Sequence, residues 1–286
     1  MSKKIAILTD SSAGFTEEEI KKYQIHVLPL HIILNGETDI LDNEQEVAAN
    51  NFYEVVRTGI TKTSQASTGE VINMYQELLK THDEIIHYPI AEKLSSQYST
   101  AYMIAQDDEF KEKVNVVRNH TAAYSLKQLV ILAKDLADKG MDSKDIIAET
   151  TKFENSTLMA MIPGSLDRLS SGGRVKKVLL SLINLLKIKI LLQWGENPKK
   201  VASSRTINSL VESFIDLLKN FTKKVKLKYE LFVLKTSECS AKVWDAIVGV
   251  LNEHKINYHV EKLPNVFVAH AGLDTVAFVT IPELNK

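Results

Sequence analysis

The chain has a single cysteine and no excess of positive charge, whereas disulfides are typical of secreted proteins and positive charge is typical of nucleic-acid-binding proteins. Its 286 residues include one cysteine, Cys239, so an internal disulfide is impossible and a reducing compartment is expected. The 35 lysine and arginine residues nearly balance the 36 aspartate and glutamate residues, and the net charge is -1. Such a chain offers no bulk positive field to nucleic acid. We therefore expect a cytoplasmic protein that binds no nucleic acid.

The chain also lacks long apolar runs and the short motifs of several enzyme classes. The N-terminal sequence MSKKIAILTDSS has only four apolar residues in a row, Ile5 to Leu8, which is too short for a signal peptide. The longest apolar stretch, VLLSLINLLKIKILL, is interrupted by Lys187 and Lys189 and falls short of a membrane span. No zinc-ligand spacing, GxSxG turn or HExxH helix occurs. We therefore predict no metal site and no cofactor, and nothing in the order of Ser, His and Asp singles out a catalytic triad.

Short apolar runs alternate with helical patterns through the first half of the chain. KIAILT, DEIIHYPI and VNVVRN are typical of strands, and they alternate with helical patterns such as FTEEEIKKYQ and SQYSTAYMIAQ. The alternation predicts an α/β domain, residues 1–155, in which helices flank a largely parallel sheet. Residues 156–286 have more hairpin character, including a turn at GENP, and predict a second α/β domain with a mixed sheet.

The stretch TKTSQAST, residues 61–68, is unusually rich in hydroxyl side chains. Ser67 and Thr68 have a structural interpretation, because Ser67 can cap the following amphipathic helix with Glu70 as its capping-box partner. Three hydroxyl residues lie upstream of this cap and are not explained by it: Thr61, Thr63 and Ser64.

Polar residues follow two of the predicted strands, at the edge where parallel sheets bind ligands. Asp10 and Ser11 follow the first strand, where they equally well cap the next helix. Ser95 stands at the start of a helix after DEIIHYPI, and a helix N-terminus offers N–H groups to an anion. Ser96 is more simply explained as the cap of that helix.

Three more residues break the pattern of core and surface: Arg174 in SSGGRV, Arg205 in SSRT and His270 in VFVAHAGLD. The stretch SSGGRV lacks the lysine and the spacing of a phosphate-binding loop, and it is equally typical of a helix break. Arg205 has an ordinary surface interpretation, and a histidine between apolar runs is commonly a buried residue bonded to backbone. The residues alone predict a two-domain α/β protein with a small anionic ligand.

Taken in order, eight short motifs resemble the DegV family, the fatty-acid-binding proteins that serve as binding subunits of bacterial fatty-acid kinase. The motifs are TDSS, VLPL, KTSQAS, LSSQYSTA, LSSGGRV, LKIKILL, SSRT and AHAGLD. The resemblance covers nearly the whole chain. It implies an acyl chain in a tunnel between the two domains, with its carboxylate on Thr63 and Ser95. It also implies that three residues line the opening: Arg174, Arg205 and His270.

Several positions depart from the family pattern. Ala66 replaces the proline that is usual after TSQ, and SSQYS stands where SGTYQ is common. Ile190 holds the position of a frequent proline, and HAGLD replaces a more glycine-rich sequence. The five implied ligand-binding residues named above all keep the expected residue type.

Three functions stay open at this point. The first, which the resemblance favours, is a non-catalytic carrier that binds a long-chain fatty acid and presents its carboxylate to an ATP-dependent kinase, with transient membrane contact for loading. The second is an enzyme acting on a small phosphorylated or acylated substrate, using Asp10, Arg174 and His270. The third is a module that binds a membrane surface or a partner through the amphipathic segment VKKVLLSLINLLKIK. A buried helix between domains explains the same segment.

Overall fold

The computed structural model describes residues 3–173 and 188–283. The strands of these residues are β1 (Ile5–Asp10), β2 (His26–Leu28), β3 (His31–Leu34), β4 (Thr38–Leu41), β5 (Thr61–Ser64), β6 (Glu84–Tyr88), β7 (Val114–Val116), β8 (Leu158–Ile162), β9 (Lys189–Trp194), β10 (Lys199–Ser204), β11 (Tyr229–Lys235), β12 (His259–Lys262) and β13 (Val276–Pro282). The helices are α1 (Glu17–Tyr23), α2 (Glu44–Ala49), α3 (Phe52–Thr58), α4 (Thr68–Leu79), α5 (Gln97–Ile104), α6 (Ala123–Asp138), α7 (Ser143–Asn155), α8 (Leu166–Ser171), α9 (Ile207–Val225), α10 (Ala241–Glu253) and α11 (Asn265–Ala271). A short 3-10 helix, Ser11–Ala13, follows β1.

The chain divides into two compact units. The first contains Met1–Asn50 and Thr63–Asn155, and the second contains Asn51–Lys62 and Ser156–Lys286. The second unit thus includes the segment 51–62, which the sequence placed in residues 1–155. The domain bounds expected from the sequence stay a prediction.

The first unit is built on a parallel sheet with the strand order β2-β1-β6-β7. Leu8 of β1 lies opposite His26 of β2 on one side and opposite His87 of β6 on the other. The order of the strands reverses between β1 and β6, and such a reversal places a ligand crevice at the carboxyl ends of these strands. The parallel sheet confirms the prediction, and its topology singles out one edge.

Helix α4 begins where the sequence predicts. The Ser67 hydroxyl accepts the Glu70 N–H at 3.3 Å, and the Glu70 carboxylate accepts the Ser67 N–H at 2.7 Å, which completes a capping box. Val71, Tyr75 and Leu78 follow at helical spacing and are buried in the core of the unit. The cap therefore fixes the far end of the loop that follows β5.

A separate three-stranded sheet, in the order β4-β3-β5, was not expected from the sequence. Strands β3 and β4 form an antiparallel hairpin whose turn residues, Asn35 and Gly36, have φ values of 52° and 79°. Positive φ at both positions is typical of a type I′ turn. Strand β5 consists of TKTS, which lacks the apolar alternation of a half-buried strand. The structure thus places Thr63 on an edge strand.

The second unit contains a six-stranded sheet in the order β10-β9-β8-β13-β11-β12. The pair β11 and β12 is parallel and the other pairs are antiparallel, which confirms the predicted mixed sheet. Helix α9 buries Leu210, Val211 and Phe214 against this sheet, and the Phe214 ring stacks on Phe278 with centroids 4.1 Å apart. The hairpin of β9 and β10 turns at GENP, as expected.

The segment 51–62 carries helix α3 into the second unit. The sequence EVAANNFYEVVRTG predicts one helix, but Asn51 adopts the left-handed conformation with φ 49° and separates α2 from α3. In the second unit the Tyr53 hydroxyl donates to Asn265 Oδ1 at 3.1 Å. The local pattern is helical on both sides of the break, so helix periodicity does not reveal the change of unit.

Arg168 of α8 holds the end of this segment. Its guanidinium donates to the carbonyl of Val56, to the carbonyl of Gly59 at 2.7 Å and to the Thr61 hydroxyl at 3.0 Å. The Thr61 hydroxyl in turn donates to the Ala269 carbonyl at 2.8 Å. Carbonyls at a helix C-terminus lack helical partners and favour a cation, which explains an arginine at this place. Burial lowers the pKa of Arg168.

None of the helices within residues 3–173 and 188–283 is both long enough and apolar enough to cross a membrane. The amphipathic segment VKKVLLSLINLLKIK lies almost entirely outside these residues.

We predict that Arg168→Met loosens the segment 51–62. The substitution keeps an unbranched side chain but removes three hydrogen bonds and leaves two carbonyls unsatisfied, which destabilises the segment locally by about 2 kcal/mol. Hydrogen exchange measured by mass spectrometry should show a loss of protection in residues 52–61. Arg57→Ala is the matched control, because its ion pairs with Glu54 and Glu238 are exposed to solvent and contribute little to stability. Equal protection in both variants would contradict this role of Arg168.

Candidate functional site

Thr63 lies near the end of β5, and its side chain is half-buried. The chain then passes through Gln65 and Ala66 to the cap of α4 at Ser67. Ala66 is fully buried, so the middle of this short loop turns inward while Ser64 and Ser67 are exposed. We call residues 63–67 the hydroxyl loop.

Ser95 lies beyond the carboxyl end of β6, just before helix α5. It is half-buried, and its hydroxyl oxygen accepts the backbone N–H of Gln97 at 3.2 Å. Because the oxygen accepts this bond, the hydroxyl proton can donate to another group. Ser96 occupies the cap position, but it makes no capping hydrogen bond with its side chain. The capping role that the sequence assigned to Ser96 is thus taken by its neighbour Ser95.

Two hydrogen bonds join the hydroxyl loop to the start of α5. The Ala66 N–H donates to Gln97 Oε1 at 2.9 Å, and Gln65 Nε2 donates to the Thr100 hydroxyl at 2.8 Å. Gln97 is fully buried. The segments that carry Thr63 and Ser95 therefore form one hydrogen-bonded group within the first unit, although 32 positions separate the two residues.

Charged residues brace the hydroxyl loop from outside. His31 on β3 contacts Asp39 at 3.0 Å through Nδ1 and Glu70 at 3.0 Å through Nε2. Burial disfavours the charged imidazole, but the hydrogen bonds and charges of Glu70 and Asp39 outweigh burial and raise the pKa of His31. Glu70 is also the capping-box residue of α4, so this contact links the hairpin of β3 and β4 to the end of the loop.

Asp10 is a structural brace at the carboxyl end of β1. Its Oδ1 accepts the Ser12 N–H at 3.1 Å and the Ser12 hydroxyl at 2.5 Å, and its Oδ2 accepts the Ile90 N–H at 2.6 Å. The side chain is fully buried, and burial raises the pKa of Asp10 to about 6 against these three hydrogen bonds. Both oxygens are thus engaged by the protein itself. This arrangement does not favour the acid-base role that the enzyme hypothesis gave to Asp10.

Two of the remaining candidate residues belong to the second unit. His270 lies in the last turn of α11 and is half-buried. Its imidazole packs so closely on Gly172 that a Cβ there would lie 2.7 Å from Nδ1, so a larger residue at position 172 would displace the imidazole. Arg205 is exposed and directly precedes Thr206, the N-cap of α9. Arg174 lies outside the described residues, and convergence of all five candidates on a tunnel stays a prediction.

Sequence reasoning did not select Gln97. The stretch SSQYS places an amide side chain directly after two serines at the start of a helix, and this pattern could have pointed to Gln97. A glutamine in the first turn of a helix is ordinarily a surface residue, so the burial of Gln97 could not be predicted from the pattern. Among the described residues, no group of three or more His, Cys, Asp and Glu side chains is arranged to hold a metal ion.

Comparisons with known proteins place these features in a family. A family model described as "Uncharacterised protein, DegV family" matches residues 4–283. A DegV domain-containing protein of Mycoplasmopsis pulmonis is 28% identical over 291 residues, which cover 99% of this chain and 96% of that protein.

Solved structures share the fold. A DegV family protein from Thermus thermophilus, described by its fatty-acid binding, has a TM-score of 0.83 and 24% identity, and the match covers 98% of this chain and 99% of that one. A stearic-acid-binding protein from Eubacterium ventriosum has a TM-score of 0.82 and 17% identity over 98% of each chain.

The state of Asp10 predicts a pH dependence of stability. Its carboxyl has a pKa of about 6 in the folded protein and an ordinary value of 3.8, so at intermediate pH the folded state holds a proton that the unfolded state has lost. The contribution of Asp10 to stability therefore falls as the pH rises through this range, by about 3 kcal/mol in total. Comparing the denaturant unfolding of the unsubstituted protein with that of Asp10→Asn isolates the contribution of Asp10 to stability.

The stability advantage of the unsubstituted protein over Asp10→Asn should be about 2 kcal/mol larger at about pH 4.5 than at about pH 7.5. A difference that stays constant, or that grows with pH, would show that Asp10 is ionised throughout this range.

Proposed function

This chain belongs to the DegV family, and on that premise we propose that it binds one long-chain fatty acid and holds the carboxylate with the hydroxyls of Thr63 and Ser95. The observation that supports the proposal is the pair of hydrogen bonds that join the hydroxyl loop to the start of α5. These bonds bring two hydroxyl-bearing segments together at the edge of the parallel sheet where ligands bind.

The chemistry of the site suits a carboxylate. A carboxylate taken out of water is costly unless its oxygens accept hydrogen bonds. The hydroxyls of Thr63 and Ser95 can donate, and the N-terminus of α5 adds N–H groups and the positive end of a helix dipole. Hydroxyl donors hold the anion without burying a strong ion pair, and the oxygen atoms of the acid thus stay available for reaction.

The acyl tail supplies most of the affinity. Each buried methylene contributes roughly 0.8 kcal/mol, so a chain of about fourteen supplies on the order of 11 kcal/mol before the cost of ordering. Proteins of the same fold are described as binding fatty acids, among them stearic acid and heptadecanoic acid. The head group then sets the orientation of the ligand, and the tail sets how tightly it is held.

The finer parts of the proposal concern partners. We propose that the protein is a cytoplasmic, non-catalytic carrier that presents the carboxylate to an ATP-dependent kinase for acyl-phosphate formation, and that it takes up lipid during transient contact with a membrane. Arg174, Arg205 and His270 would act at the opening, where their charge and hydrogen bonds suit a carboxylate or an acyl phosphate. The enzyme hypothesis has no specific support, because the carboxylate of Asp10 is engaged by Ser12 and Ile90.

The double variant Thr63→Ala, Ser95→Ala tests the head-group assignment. It removes two donors to a charged group, each contributing about 1.5 to 3 kcal/mol, so fatty acid retained through purification should fall at least tenfold. The amount is measured by mass spectrometry of an organic extract.

The matched control is Ser64→Ala, Ser99→Ala, which removes two exposed hydroxyls from the same loop and the same helix. It should retain as much lipid as the unsubstituted protein. Undiminished retention by the first variant, with an unchanged melting temperature, would contradict the assignment of Thr63 and Ser95.

A further inference from the structure

We propose that Gln97 is a third donor to the ligand's carboxylate, a binding residue placed between Thr63 and Ser95. The proposal rests on the fatty-acid binding proposed above and names a further residue of that site. It stands on three observations within the first unit: the burial of Gln97, the hydrogen bond that fixes its amide, and the amide nitrogen left over.

The orientation of the Gln97 amide is fixed by its neighbours. The Ala66 N–H donates at 2.9 Å and requires an oxygen, so the atom that faces Ala66 is Oε1. The other end of the amide is therefore Nε2, a donor of two hydrogen bonds. The amide of Gln65 is not fixed in this way, because its partner, the Thr100 hydroxyl, can donate as well as accept.

Gln97 Nε2 is buried and has no hydrogen-bond partner among residues 3–173 and 188–283. The whole side chain is 0% exposed, so water at the surface does not solvate it. An unsatisfied buried donor is destabilising, and native proteins rarely keep one that nothing else satisfies. An acceptor that is absent from the protein chain itself would remove this cost.

The surroundings of Gln97 indicate which acceptor that is. Its backbone N–H donates to the Ser95 hydroxyl oxygen, and its side chain accepts from the hydroxyl loop three residues after Thr63. Gln97 thus contacts both of the segments assigned to the carboxylate. Its position at the first residue of α5 adds the favourable end of the helix dipole. A carboxylate has acceptor sites to spare after two hydroxyls have donated, and it needs further donors.

The substitution Gln97→Glu separates the two functions of the side chain. Glutamate keeps an oxygen for the Ala66 N–H and changes only Nε2 into a second oxygen, which repels a carboxylate. Gln97→Met removes the donor without adding charge and serves if the glutamate variant does not fold. It also leaves the Ala66 N–H without its acceptor, so for this variant only the difference between acid binding and alcohol binding is used. Gln106→Glu is the control for charge, because Gln106 is exposed just beyond the end of the same helix.

The test measures dissociation constants of delipidated protein for radiolabelled hexadecanoic acid and hexadecan-1-ol, which share a tail and differ in the head group. We expect Gln97→Glu to weaken binding of the acid roughly tenfold or more, the loss typical of one hydrogen bond to a charged group, and to change binding of the alcohol less than about twofold. We expect Gln97→Met to weaken binding of the acid roughly tenfold more than binding of the alcohol. Gln106→Glu should change neither. Acid binding that matches the unsubstituted protein would overturn the role of Gln97.

Other outcomes are also decisive. An equal loss for acid and alcohol would show that Gln97 only supports the fold, and it would overturn a direct contact with the carboxylate. Uptake of neither ligand by the unsubstituted protein would overturn the fatty-acid function itself, whereas normal uptake with no effect of Gln97 would overturn this inference alone.

Discussion

The hydrogen bonds between the hydroxyl loop and helix α5 are the interaction on which the site depends. Thr63 sits on an edge strand of a small sheet, and Ser95 follows a strand of the parallel sheet. Neither sheet by itself joins the segments that carry Thr63 and Ser95. The hydrogen bond from the Ala66 N–H to Gln97 joins these segments, together with the hydrogen bond from Gln65 to Thr100. A buried backbone N–H must find an acceptor, so Gln97 is also required for the stability of the loop.

Features that depend on local patterns could be predicted from the sequence. The capping box of Ser67 and Glu70 is encoded within four residues, and the hairpin of β9 and β10 turns at the tetrapeptide GENP. The parallel sheet followed from the alternation of strands and helices, and the resemblance to the DegV family is confirmed by a match to residues 4–283. Each of these signals is contained in a short window or repeated along the chain.

Features that depend on distant contacts could not be predicted. The segment 51–62 is helical by pattern, and its place in the second unit depends on Arg168, more than a hundred residues away. Strand β5 has a polar sequence, and it is a strand because it pairs with β3. Burial of Gln97 likewise depends on Ala66, because an alanine in the loop has an N–H to satisfy and a proline does not. A single sequence shows the residues of such pairs but not the pairing.

Native mass spectrometry of the purified protein, paired with mass spectrometry of its organic extract, would test the proposed binding of a long-chain fatty acid. We expect a bound mass that corresponds to about one fatty acid per chain and an extract that contains that acid, because the buried tail supplies enough affinity to survive purification. A protein that is free of lipid and takes up no added fatty acid would contradict the proposed binding.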